Sequence, residues 1–136
     1  MTESTHPHFD DGGAVVWQTD FHEALRAASQ QGRLLFIEYG RKECTQCKAL
    51  VLTVIPRPEI AAILSERYVC LAVDCDEAGD EVDELATKLE GAEMLPFVMV
   101  TDGRGQYLDG LSGRISPESL HRLLERLSSA ANTKGA

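Results

Sequence analysis

Residues 34–48 read LLFIEYGRKECTQCK. The first six, Leu34 to Tyr39, form an apolar run rich in side chains that suit a buried strand. Gly40 and three charged residues follow, and then Cys44 and Cys47 stand three positions apart at the head of a helical pattern that continues through Leu50, Val51 and Val54. By spacing alone the pair reads as a redox dithiol, as half of a metal site, or as two thiols sharing a helix. Glu38 sharpens the question, because an isolated carboxylate inside an apolar strand is costly and needs a partner or a task.

Upstream, Asp20-Phe-His-Glu23 has the form of a capping box, Phe21, Leu25 and Ala28 follow at helical spacing, and Gly32 provides a stop. Downstream, Pro56 interrupts the helical pattern and Pro58 opens its continuation over Ile60, Ile63 and Leu64. "YVCLAVDC", residues 68–75, is a second buried strand, so strand, helix and strand occur in the order of a parallel crossover. A helix from Asp80 to Leu89 comes next. "MLPFVMV" is a strand entered through Pro96, and the Asp102-Gly103 turn pairs it with "YLDGLSG" as a hairpin. Ser116 and Pro117 start a last helix with a stripe of Leu120, Leu123, Leu124 and Leu127. This order predicts an α/β domain, a central mixed sheet with helices on both faces, over residues 14–128. Residues 1–13 and 129–136 are expected to be flexible segments that carry no function.

The chain has 13 basic and 22 acidic side chains, a formal charge of −9, which argues against a nucleic-acid partner. No apolar stretch reaches the roughly 18 residues that span a bilayer, so no membrane partner is expected. The N-terminus, MTESTHPHFDDGG, lacks a secretory pattern. The expectation is a cytoplasmic monomer, or a periplasmic one if a leader was removed. Four cysteines are too few for a disulfide scaffold.

The element order, with Cys-x-x-Cys opening the helix after the first long strand and a proline entering the later hairpin, resembles the thioredoxin superfamily. The likeness runs from about Val15 to Leu127. "VVWQTDFHEALRAASQQGRLLFIEYG" and "IPRPEIAAILSERYVCLAVDCDE" are similar to the group related to disulfide reductases and isomerases. The resemblance implies a thioredoxin-like fold and thiol–disulfide oxidoreductase activity on a protein disulfide or dithiol substrate. It needs no separate cofactor and no metal, but does need a reductase or dithiol partner for recycling. It makes Cys44 the nucleophile, Cys47 the resolving thiol and Glu38 a buried acid that relays the proton of Cys47. Pro96 matches a proline held cis opposite the cysteines, and Leu95 offers backbone hydrogen bonds to an extended substrate. Two departures stand out. Thr45 and Gln46 replace the Gly-Pro or Gly-His found between the cysteines of better-known members, and Glu43 stands where tryptophan is usual.

The chemistry suits the positions. A helix N-terminus favours a thiolate, Arg41 and Lys42 add positive potential, and Glu43 opposes them. Cys47, nearly one turn on, can attack a mixed disulfide formed at Cys44. Thr45 and Gln46 can hydrogen-bond the sulfurs and contact substrate. Rival readings are a redox-inactive adaptor using the Pro96 face, and a metal-handling protein using the Cys44 and Cys47 thiols, in which a zinc site would also recruit Cys70 and Cys75. Cys70 is expected in the core, and Cys75, between two aspartates, is expected to be passive. Trp17 reads as a packing residue. His6, His8, His22 and His121 are scattered, the first two in the segment expected to be mobile, and no catalytic histidine is expected.

Overall fold

The computed structural model describes residues 6–89 and 94–135. Its elements are β1 (Trp17–Gln18), α1 (Phe21–Gln31), β2 (Leu34–Gly40), α2 (Thr45–Ala49), a π-helical turn (Leu50–Val54), α3 (Pro58–Arg67), β3 (Tyr68–Asp74), α4 (Asp80–Ala86), β4 (Phe97–Thr101), β5 (Tyr107–Ser112) and α5 (Pro117–Gly135). The strands form one sheet in the order β1-β3-β2-β4-β5. β3 runs parallel to both β1 and β2, while β4 is antiparallel to β2 and to β5. The mixed α/β sheet expected from the sequence is thus present, with one strand more at its edge. β1 is only two residues long and has no periodicity to reveal it; pairing of Trp17 with Cys70 and Gln18 with Leu71 defines it.

Local chemistry explains the boundaries. The Asp20 carboxylate accepts from the Glu23 backbone N–H at 2.9 Å, and Gly32 ends α1 at φ 65°, where a side chain would be strained. Pro58 occupies the first turn of α3, where its missing N–H costs nothing. The Ser116 hydroxyl accepts from the Ser119 N–H at 3.1 Å at the head of α5. α4 stops at Ala86 rather than Leu89, because the Thr87 hydroxyl bonds the Glu84 carbonyl at 2.6 Å and the chain tightens into a turn. Helical geometry in α5 runs past Leu127 to Gly135, into the stretch expected to be a free tail. Of the two terminal segments, residues 1–5 and Ala136 lie outside the described residues.

β2 and β3 are buried on both faces, which separates two apolar layers. On one side Phe36, Cys70 and Val98 meet Leu50, Ile60, Leu64, Leu120 and Leu124; on the other Leu35, Ile37, Leu71 and Met99 meet Ala24, Ala28, Val82 and Leu85. Each fully buried Leu of α5 contributes about 1.5–3 kcal/mol relative to exposure. The Tyr68 hydroxyl donates to the Leu124 carbonyl at 2.7 Å, tying α5 to β3. Among the described residues no helix is long and apolar enough to cross a membrane.

Candidate functional site

β2 ends at Gly40, and the four residues before α2 bring the cysteines against the sheet. Cys44 is the N-cap of α2, with extended backbone, and Cys47 lies in the first turn. The two are joined as a disulfide, with Cα atoms 5.2 Å apart. The Cys47 N–H also donates to Cys44 Sγ at 3.2 Å. Exposure divides them: Cys44 is half-buried, whereas Cys47 has no accessible surface. Thr45 is exposed and Gln46 half-buried, so the dipeptide between the sulfurs faces outward.

Beneath the disulfide lies Gly40, whose role the sequence reading did not anticipate. A Cβ at this position would stand 2.6 Å from Glu38 Oε2 and 2.9 Å from Cys47 Sγ. The missing side chain is therefore what lets the acid and the inner sulfur share one pocket. Glu38 is 1% exposed, and its Oε2 has no hydrogen-bond partner among the described residues. Its strand neighbours are Ala72 on β3 and Val98 on β4, neither of which supplies a polar side-chain atom.

The partner of Glu38 comes from the N-terminal segment. His6 Nε2 lies 2.5 Å from Glu38 Oε1, with both side chains buried. The His8 backbone N–H donates to His6 Nδ1 at 3.1 Å, so Nδ1 is the unprotonated nitrogen and Nε2 carries the hydrogen donated to Glu38. The ring is fixed edge-on to Trp17, centroids 5.0 Å apart, and stacks on Phe9. Trp17 in turn donates Nε1–H to Asp11 at 2.9 Å. His6 is thus buried against the acid rather than set apart from it. A signal was available: a Glu inside LLFIEY requires a donor, and β3 brings none.

Arg41 was expected to add positive potential near Cys44. It instead pairs with Asp76 through two hydrogen bonds, 3.0 and 3.2 Å, on the surface. Its guanidinium hydrogen bond holds the Asp76 carboxyl below the usual range. Cys70 is buried in β3 and desolvation pushes its thiol far up, as suits a core residue. Cys75 is also raised, first by burial and then by Asp76 and Asp74, although Arg41 pulls the other way. Neither joins Cys44 and Cys47. Among the described residues the one grouping of three potential metal-binding side chains is Asp74, Cys75 and Asp76.

The Leu95–Pro96 peptide is cis, the form the resemblance implies. Tyr39 pairs with Phe97, so extending that register by one residue sets Pro96 across from Gly40 and hence beside the cysteine pocket. The Pro96 carbonyl accepts from Gly113 at 3.0 Å, while the Leu95 backbone makes no such bond among the described residues. Met94, next in line, is an exposed large apolar side chain.

A family model described as thioredoxin-like matches residues 16–103. The chain belongs to the thioredoxin-like family. This thioredoxin-like chain superposes on a thioredoxin from Thermus thermophilus with a TM-score of 0.70 at 21% identity, over 90% of this chain and 94% of that one. It is also similar to a disulphide isomerase from Xylella fastidiosa Temecula1, with a TM-score of 0.62 at 16% identity over 94% and 98%. A third likeness is to the oxidised C-terminal domain of DsbD from Neisseria meningitidis, 0.58 at 17% identity over 82% and 98%. At these identities the structures speak for a shared thioredoxin-like fold. Among curated proteins no sequence matches.

Proposed function

We propose that this chain is a thiol–disulfide oxidoreductase acting on protein disulfides or dithiols. The observation that carries the reading is the asymmetric Cys44–Cys47 disulfide, one sulfur half-exposed at the N-cap of α2 and the other sealed beside Glu38 and Gly40. In the reduced form the Cys44 thiolate attacks a substrate disulfide, forming a mixed disulfide and releasing one substrate thiolate. Cys47 then attacks Cys44 Sγ. The internal disulfide forms, the bond to the substrate breaks, and the electron pair leaves on the second substrate sulfur. Two electrons pass from the dithiol to the substrate, and an external reductase or dithiol protein returns them.

Within this reading the residues divide the work. Cys44 is the nucleophile because its sulfur is the accessible one. Cys47 resolves, since no partner can reach it first. Glu38 takes the proton of Cys47, directly or through a water molecule. Leu95 and Pro96 form a backbone edge for an extended substrate chain, to which the Leu95 backbone would hydrogen-bond. Thr45 and Gln46, on the outer side of the cysteine turn, contact the bound chain.

Reduction of a protein disulfide by the wild type, Cys44→Ser and Cys47→Ser tests the proposal. The expected result is complete loss with Cys44→Ser and a stable covalent complex with Cys47→Ser. Turnover retained by Cys44→Ser would exclude the mechanism.

A further inference from the structure

We propose that His6 is a positioning residue for this thiol exchange: by donating Nε2–H to one carboxylate oxygen of Glu38, it holds the other toward Cys47 as acceptor of that thiol's proton. The inference rests on the oxidoreductase reading and adds the N-terminal segment to the site.

Three observations converge. The His6–Glu38 contact is 2.5 Å long and both side chains are buried, so water does not compete for it. The His8 N–H on Nδ1 leaves His6 one role, that of donor through Nε2. Glu38 Oε2, the oxygen His6 does not use, is the unpartnered one, and it and Cys47 Sγ flank the vacant Cβ position of Gly40. A carboxylate that could rotate freely would present either oxygen to either neighbour. With Oε1 fixed, Oε2 stays at the Gly40 gap that Cys47 Sγ also lines.

Among the described residues the groups facing Glu38 are few. From α2 comes Cys47 and from the N-terminal segment His6, while Ala72 of β3 and Val98 of β4 bring nothing that titrates. Behind His6, His8 turns away, its Nε2 3.4 Å from Asp74 at the end of β3. When Cys47 resolves a mixed disulfide, its proton passes to Glu38 Oε2 and its thiolate forms the bond to Cys44. The departing substrate sulfur takes the electron pair and later a proton from Glu38 or water. His6 keeps its own proton throughout, which separates positioning from acid–base catalysis.

The test uses reduced full-length protein and a symmetrical aromatic disulfide whose thiolate is coloured. Its first equivalent of colour reports attack by Cys44 and its second reports resolution by Cys47. His6→Phe preserves a ring against Trp17 and Phe9 but removes the donor; His6→Gln restores a donor. Loss of a charge-assisted hydrogen bond predicts that His6→Phe slows the second phase by about tenfold or more near neutral pH. The first phase stays unchanged. The deficit should narrow as pH rises and hydroxide takes over from Glu38 as the proton acceptor. His6→Gln should recover most of the rate, and His6→Phe should add no further loss to Glu38→Gln. Equal slowing of both phases at every pH, a wild-type rate in His6→Phe, or full additivity with Glu38→Gln would overturn the inference while leaving the oxidoreductase standing. A wild type that releases no colour, with Cys44→Ser indistinguishable from it, would remove both.

Discussion

Two histidine–carboxylate pairs in this molecule have almost the same length and opposite surroundings. His6 and Glu38 meet at 2.5 Å with 0% and 1% of their side chains exposed, whereas His22 and Glu81 meet at 2.6 Å with 63% and 61% exposed. Distance alone would rank them together. In the outer pair, which ties α1 to α4, water and salt compete for both partners, so its worth is about 1 kcal/mol or less. The inner pair exchanges no contacts with bulk solvent, and removing one member strands the other in an apolar setting. The lesson is that desolvation, rather than proximity, decides which pair the structure depends on.

The largest effect should come from breaking the inner pair outright. His6→Ala leaves both oxygens of Glu38 without a donor and is expected to lower unfolding stability by about 3 kcal/mol, read from denaturant titration. Glu38→Gln in that background should recover part of it, because a neutral amide costs less to bury. Gly40→Ala comes next. Its methyl would intrude on Glu38 Oε2 and Cys47 Sγ at once, and the expected cost is about 2 kcal/mol with slower closure of the Cys44–Cys47 disulfide. A Gly40→Ala protein with wild-type stability and closure rate would show that the pocket is looser than the distances imply.

The outer pair supplies the contrast. His22→Ala should change stability by no more than about 0.5 kcal/mol, and that change should vanish in about 1 M salt, whereas the His6→Ala deficit should persist. The smallest effect is expected at Asp76, whose carboxyl is depressed by its hydrogen bonds from Arg41. A depressed acid contributes stability that is complete above its unfolded pKa and is lost as pH falls through the folded value. Asp76→Asn should therefore lower the melting temperature slightly at neutral pH, and its difference from the wild type should disappear as pH falls below the ordinary carboxylate range.

The same division between local and long-range causes governs what the sequence discloses. Asp20, Gly32, Pro58 and Ser116 act on their own helix ends, and those ends were legible from the residues themselves. β2, β3 and the cysteine-bearing turn were legible because their apolar runs and spacing are contiguous. β1 was not, since two residues carry no period and only the partner strand defines them. Gly40 carries no signal of its own in the sequence; its meaning lies in two side chains, Glu38 and Cys47, that converge on it. His6 was hidden more deeply, because a polar segment containing Pro7, Gly12 and Gly13 reads as a free tail until the need of Glu38 is followed to its source.

The chain contains one tryptophan, and it lies under that segment. Trp17 is 1% exposed, meets the His6 ring edge-on at 5.0 Å and donates to Asp11. Its indole emission therefore responds to the seating of residues 6–11 on the sheet. Release of the segment would wet the indole and move its emission to longer wavelength. The protein thus carries an unlabelled optical gauge, by which the state of its N-terminal arm can be read while the thiols turn over.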